Sequence, residues 1–527
     1  MKAPCEEALI QSGSLATPCK PESGPWILAA TVLGSSMAFI DGTVVNVAVP
    51  ALQSAFHSSV VDVQWVVESY GILLSCLILV GGALGDLFGR RLIFLLGITI
   101  FAAASAACGL SSSIHELILA RCAQGVGAAL LVPESLAIIS ASFDEESRGR
   151  AIGTWSGFTA ITAAFGPVLG GWLIQYASWR WVFFLNLPIA AAAVAISVWH
   201  VPESHGPRAQ RLDWLGALLA TTGLAGVVTG LLESQKLGWS NPLIVTSLLG
   251  GLAALIFFVL VEARIPAPMV PLSLFQSRAF TGANLITLFL YAAIGIFLFL
   301  FPMELIQIRG YSTSVAGAAI LPMILSLFLL SRWSGGLVSR YGARPPLIAG
   351  SLVVAAGFLL FAFLPPFGSY WRTFFPASLV LGFGMAITVA PLTTSVMNSV
   401  GQDRAGTASG INNAVARVAA VLAIAVFGIV LVKAFGSHLD RGLATLSLAP
   451  DVVSQIQSKE IELAGLELPS SLDASAVAAV RHAVSTAFLA GFRLVLLLCA
   501  ALSAASAFVA WRLMDTAATA AGDLKPR

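Results

Sequence analysis

The sequence predicts an all-α integral membrane protein of fourteen transmembrane helices, built from two related halves. Three observations carry this. The chain of 527 residues is 57% hydrophobic and only 10% charged, whereas a soluble protein is about a quarter charged. Its apolar residues come in runs of about 20, the length that crosses a bilayer as a helix, with short polar turns between them. A charged turn between two apolar runs also occurs twice, as GALGDLFGRRLIFLLG from Gly82 to Gly97 and GGLVSRYGARPPLIAG from Gly335 to Gly350. Aligned without gaps, Gly89 matches Gly342, Arg91 matches Arg344 and Gly97 matches Gly350. Such a hairpin needs Gly for its tight turn, and Arg holds the turn on the cytoplasmic side. A duplicated membrane bundle is an architecture of transporters above other classes.

Taken in order, residues 1–25 are polar and read as a disordered cytoplasmic tail, without the apolar core of a signal peptide. Six spans follow at 26–50, 63–84, 92–110, 117–140, 150–173 and 181–201, giving an N-terminal six-helix domain over 26–201. Two more, at 213–233 and 242–262, form an insert over 213–262. The last six, at 280–304, 316–338, 346–365, 372–396, 405–432 and 487–512, form a C-terminal six-helix domain over 280–512. One loop is long, 433–486, and is expected outside. In it Pro450-Asp451 opens a short helix and Asp473 caps another that runs into the last span. Residues 513–527 are a second cytoplasmic tail.

Orientation follows from charge. One set of turns carries Arg90, Arg91, Arg148, Arg150, Arg208, Arg211, Arg264, Arg278, Arg340, Arg344 and Arg404. The opposite turns carry only Arg180, Lys236, Arg309 and Arg372. The positive-inside rule puts the first set, and with it both termini, in the cytoplasm of a cell (inner) membrane protein.

Several classes are disfavoured. A net charge of +2 is no footprint for nucleic acid. No lysine completes a GxxxxGK[ST] phosphate loop, so ATP is not the expected energy source. The six cysteines form no disulfide framework, and no histidine or cysteine set has metal-ligand spacing. No residue set suggests covalent catalysis, so neither an enzyme nor a cofactor is expected.

Ionisable groups inside a bilayer are costly and are functional candidates by default. Asp41 lies well inside span 1, on a face with Gly34, Ala38, Val45 and Ala48. It is either a proton-coupling acid or one half of a permanent ion pair with Arg121. Glu68 lies at a similar depth on span 2, either sharing a pocket with Asp41 or sitting at the water interface. Arg121 opens RCAQGVGAALLVPE on span 4 and needs an acid or several carbonyls as partners. Thirteen residues further, about 20 Å away and rotated by roughly 140°, Glu134 follows Pro133. It serves a second protonation step, binds a cationic substrate or touches cytoplasmic water. On span 5, Gly153 and Gly157, then Gly166 and Gly170, are small-xxx-small pairs for close packing, and Pro167 permits a bend. Asn284, Thr287 and Tyr291 share a face of span 9, as substrate-path lining or as interhelical glue. Arg417, an ionisable group within span 13, is a further substrate-path candidate.

These residues resemble a known family. IDGTVVNVAVP (Ile40–Pro50), GALGDLFGRR, RCAQGVGAA, FGPVLGG (Phe165–Gly171) and SWRWVFFLNLP (Ser178–Pro188) are similar, in order, to the signatures of the fourteen-span drug:proton antiporters of the major facilitator superfamily. PMELIQIRGYS and GTASGINNAVAR extend the likeness into the second half. The resemblance implies the major facilitator fold, with two six-helix domains around a central cavity and alternating access. It implies that Asp41 and Arg121 are candidates for proton coupling, beside Glu68 and Glu134, which are candidates from their place in the spans alone. It implies a gate motif of Gly82, Asp86, Gly89, Arg90 and Arg91, in which Asp86 caps a neighbouring helix. It also implies an antiporter motif of Gly166, Pro167, Gly170 and Gly171. Two departures stand out. Ser339 occupies the place of Asp86 in the second copy, and span 13 carries Arg417 with no acid. The expected function is a proton-driven exporter of amphipathic small molecules or drugs, acting as a monomer in the lipid bilayer. Two alternatives are a narrow exporter of an endogenous metabolite, lipid or siderophore and a non-transporting membrane sensor.

Overall fold

The computed structural model describes residues 23–143, 145–205, 213–266, 268–363, 365, 368–400, 405–446, 448–466, 468 and 472–514. Most of both expected tails, and Arg208, Arg211 and Arg404, lie outside the described residues. Fourteen helices are long and apolar enough to cross a membrane, one for each expected span. They are α1 (Gly24–Phe56), α2 (Val60–Phe88), α3 (Arg90–Leu110), α4 (Ile114–Ser142), α5 (Glu145–Tyr176), α6 (Trp181–His200) and α7 (Trp214–Leu237). Then come α8 (Pro242–Glu262), α9 (Arg278–Met303), α10 (Thr313–Leu330), α11 (Arg344–Ala362), α12 (Phe374–Asn398), α13 (Ala405–Leu443) and α14 (Ala474–Leu513). In lipid every backbone polar group must be satisfied within its own segment, which is why each apolar run closes into a helix.

Local chemistry sets the ends. Ser59 and Asp62 form a reciprocal capping box that starts α2. Gly89 (φ 112°) and Gly342 (φ 75°) both adopt left-handed backbone at the two repeated turns, as the duplicated motif predicts. Pro450–Gln457 is a short helix, and Asp473 caps α14 through the Ala476 N–H at 2.7 Å. The expected long loop is shorter than 433–486, because α13 runs on to Leu443 and α14 begins at Ala474.

Two compact units result. One runs to Pro271 and adds Leu305–Ala318; the other comprises Leu272–Glu304 and continues from Ala319. The insert α7–α8 therefore belongs with the first unit. Its α7 lies on α2, where Trp65 Nε1 donates to Glu233 Oε1 at 2.8 Å and Lys236 pairs with Asp62. Leu305–Ala318 departs from the expected 280–512 boundary. Gln307 donates to Gln53 Oε1 at 2.9 Å and Thr313 to the Gly171 carbonyl at 3.0 Å. The α9 helix passes into this segment through a π-helix at Glu304–Ile308.

Candidate functional site

Within the first unit, five helices meet at one buried polar network. Asp41 on α1 is 0% exposed and Arg121 on α4 is 1% exposed, and they form an ion pair. Arg121 Nε donates to the Val66 carbonyl on α2 at 3.0 Å, and Nη1 donates to Gln124 Oε1 at 2.7 Å. The guanidinium also lies over the Tyr70 ring, 4.3 Å from its centroid. Gln124 Nε2 reaches Asp41 Oδ1 at 2.8 Å and Ser105 Oγ on α3 at 2.7 Å. Asn186 on α6 donates to the same Ser105 at 3.2 Å. The small face of α1 makes room for this, since Ala38, Val45 and Ala48 are all buried. Of the two readings of Asp41, the geometry is that of the ion pair.

Glu68 and Glu134 are different. Both are 0% exposed, and none of their four carboxyl oxygens has a hydrogen-bond partner among the described residues. Neither acid lies at a water interface. Glu68 takes no part in the Asp41 network. Glu134 sits where Gly85 of α2 lacks a side chain, so its carboxyl group fills that gap, and Pro133 beside it lies 3.6 Å from the Cβ position of Gly82. An unpaired buried anion is expensive, which sets these two carboxyls apart from the paired Asp41. As the spacing along α4 predicts, Glu134 and Arg121 are not partners.

The gate motif forms at the α2–α3 turn. Asp86 Oδ1 accepts from Arg90 Nε at 3.0 Å and Nη2 at 2.8 Å, and Arg90 Nη1 reaches the Ala137 carbonyl at 3.3 Å. Asp86, expected to cap a neighbouring helix, is thus bound to Arg90. The carboxylate that caps α3 is Glu203, on the segment after α6. It accepts from the Arg91 N–H at 2.9 Å and the Leu92 N–H at 3.2 Å, where the helix dipole favours negative charge. Its carboxyl stands against Gly89, and Arg91 closes the contact through the Val201 carbonyl at 3.0 Å.

The antiporter motif is a close-packing surface. Gly166 and Gly170 face Thr43 and Val44 of α1, and Gly171 faces the backbone of Thr313 and Ser314. Gly317 in turn meets the backbone of Pro167. Gly153 and Gly157, expected to pack likewise, meet no neighbour within 4 Å among the described residues.

In the second unit, Asn284 and Thr287 are joined by Asn412 of α13, whose Nδ2 donates to Asn284 Oδ1 at 3.2 Å and Thr287 Oγ1 at 2.7 Å. Of their two readings, interhelical glue matches this geometry. Tyr291, one turn further on, is within electrostatic reach of Arg417.

Sequence reasoning missed Gln124, Ser105, Asn186, Glu203 and Asn412 as site residues. Gln124 was visible, lying three residues after Arg121 and so on its face. Asn412 was marked by a polar pair in an apolar run. Asn186 stood within the SWRWVFFLNLP signature, whereas Ser105 and Glu203 carried no local signal.

Comparison with known proteins places the chain in a family. The family model of the Major Facilitator Superfamily matches residues 31–214 and 205–424. The chain is 37% identical over 429 residues to the multidrug resistance protein Stp of Mycobacterium tuberculosis, covering 79% of this chain and 78% of that protein. It is 32% identical over 434 residues to the tetracenomycin C resistance and export protein of Streptomyces glaucescens, covering 81% of this chain and 79% of that one. Among solved structures, a bacterial homologue of the human lysosomal transporter Spinster superposes with a TM-score of 0.65 at 15% identity. It covers 94% of this chain and 99% of that one, a likeness of fold.

Proposed function

The chain belongs to the Major Facilitator Superfamily, and on that premise we propose that it is a proton-driven secondary exporter of amphipathic small molecules, drugs among them. The observation that carries the proton coupling is the pair of buried, unpartnered carboxyls, Glu68 on α2 and Glu134 on α4. A carboxyl that has no partner when closed off, and that meets water when its side opens, takes up and releases a proton as access alternates. Protons run down their gradient and substrate leaves against its own, so no bound cofactor is required. The resistance proteins named above support drugs as the substrate class. Asp41 is held by Arg121 and Gln124, so in this reading it organises α1, α3 and α4 while the two glutamates carry the exchangeable protons. The protein acts as a monomer in the cell membrane, with both termini in the cytoplasm.

The test uses inside-out membrane vesicles under an imposed pH gradient. Adding a lipophilic cation should partly collapse the gradient with the wild-type chain. Glu68→Gln and Glu134→Gln should each lose that response at unchanged expression. If both variants respond like wild type, the glutamates are not the carriers. One observation favours a narrower exporter of a cell-made metabolite, namely that the span at 405–432 within α13 carries Arg417 and no acid that could meet a cationic drug. Competition between a transported dye and candidate metabolites separates the two readings.

A further inference from the structure

The inserted hairpin holds two acids that proton-driven export does not use. Asp213 stands just before α7 and caps it, its Oδ1 accepting from the Gly216 N–H at 2.7 Å. Glu262 ends α8, and its Oε2 accepts from the Val270 N–H at 3.1 Å, on the chain leading to α9. The residues are 7% and 3% exposed. Each carboxyl has one oxygen left, Asp213 Oδ2 and Glu262 Oε1, that accepts no hydrogen bond of good geometry among the described residues, although the Met269 N–H also lies near the Glu262 carboxyl. These two oxygens converge above Gly216, whose missing side chain leaves the space between them. The carboxyls lie within hydrogen-bonding reach of each other.

Two buried acceptors that face each other repel if both groups are ionised. One proton between them removes the repulsion and supplies the missing donor. We propose that Asp213 and Glu262 share one proton, and that this carboxyl–carboxylate bond is a pH-sensitive latch joining the start of α7, the end of α8 and the chain at Val270.

The other charged groups nearby are engaged or point away. On α2, which packs along α7, Asp62 binds Lys236 and Asp86 binds Arg90. Glu233 at the far end of α7 accepts from Trp65. Arg264 follows Glu262 by two residues and is exposed. Among the described residues, Asp213 is the charged group facing Glu262.

The test is thermal unfolding of the purified full chain in detergent from about pH 5 to about pH 9. The folded pair keeps a proton that the unfolded chain gives up, so stability falls as pH rises. The wild-type Tm should drop by several degrees as the shared proton leaves for water. In Glu262→Gln the amide Nε2 donates permanently to Asp213 Oδ2, while its Oε1 still accepts from Val270. That variant should match the wild-type Tm at low pH and lose this part of the decline. Asp213→Asn keeps a capping oxygen and should behave likewise. Either variant retaining the wild-type slope overturns the proposal. So does failure of both to reach the low-pH stability of wild type, because each amide supplies the donor that the proton would. A rise in wild-type Tm on adding Mn2+ or Ca2+ at high pH, absent from both variants, also overturns it, since a cation would then bridge the acids.

Discussion

Arg121 is the bulkiest fully buried side chain among the described residues, and its charge is answered at one place, Asp41. Removing one partner of a buried pair leaves an uncompensated charge, so Asp41→Ala should lower unfolding stability by about 3–5 kcal/mol. Asp41→Leu with Arg121→Met should recover most of that loss, because the penalty lies in the orphaned charge and not in the absence of the pair. Unfolding in mixed detergent measures both, and equal losses in single and double variants would refute the ion-pair account. Both residues were legible in the sequence as improbable charges in apolar runs. Their pairing was legible only as one of two alternatives, because 80 residues separate them along the chain and hydropathy carries no information about which faces meet. Glu203 was less visible still. A charged residue in a polar segment gives no sign that it caps a helix more than 100 residues earlier. Glu203→Ala should cost about 1 kcal/mol, the usual loss of a capping side chain.

At the scale of single helices, α5 offers a contrast within one segment. A side chain at Gly171 would strike the backbone of Thr313 and Ser314, and one at Gly317 the backbone of Pro167. Backbone cannot step aside as a flexible side chain does, so Gly171→Ala and Gly317→Ala should each destabilise by about 1–3 kcal/mol. Gly153 and Gly157 meet nothing among the described residues. Gly153→Ala there should stabilise by about 0.4–1 kcal/mol, through lost freedom of the unfolded chain. Comparing the melting temperatures of these variants checks the pattern, and loss of stability at Gly153 would place a neighbour there. The sequence offered the same small-xxx-small spacing at both ends of the helix. Spacing reports which residues share a face, but what that face meets is decided by tertiary packing. Hydropathy likewise located all fourteen spans yet fell short on α13 and α14. Their ends continue as helix through polar sequence that needs no lipid, and the Asp473 cap was the better guide to where α14 starts.

For the whole molecule, orientation is the property on which transport direction depends, and it rests on charge. Cations cluster in the turns that hold Arg90, Arg91, Arg264 and Arg340, while the segment over Pro450–Gln457 lies an odd number of spans away from them. By the positive-inside rule the side with the K/R excess is expected in the cytoplasm, and an even number of spans would return the last residues to the side of the first. Exposed Ser458 and exposed Ser273 should therefore face opposite compartments. In a chain freed of its native cysteines, Ser458→Cys should react with a membrane-impermeant maleimide in intact cells. Ser273→Cys should react only in inside-out vesicles. The opposite pattern would invert every span at once, so that Glu134 and the Asp86–Arg90 turn face outward and export becomes uptake. Labelling of both residues from one side would remove or add a span between α9 and α13, and the two halves would no longer be copies in the same orientation.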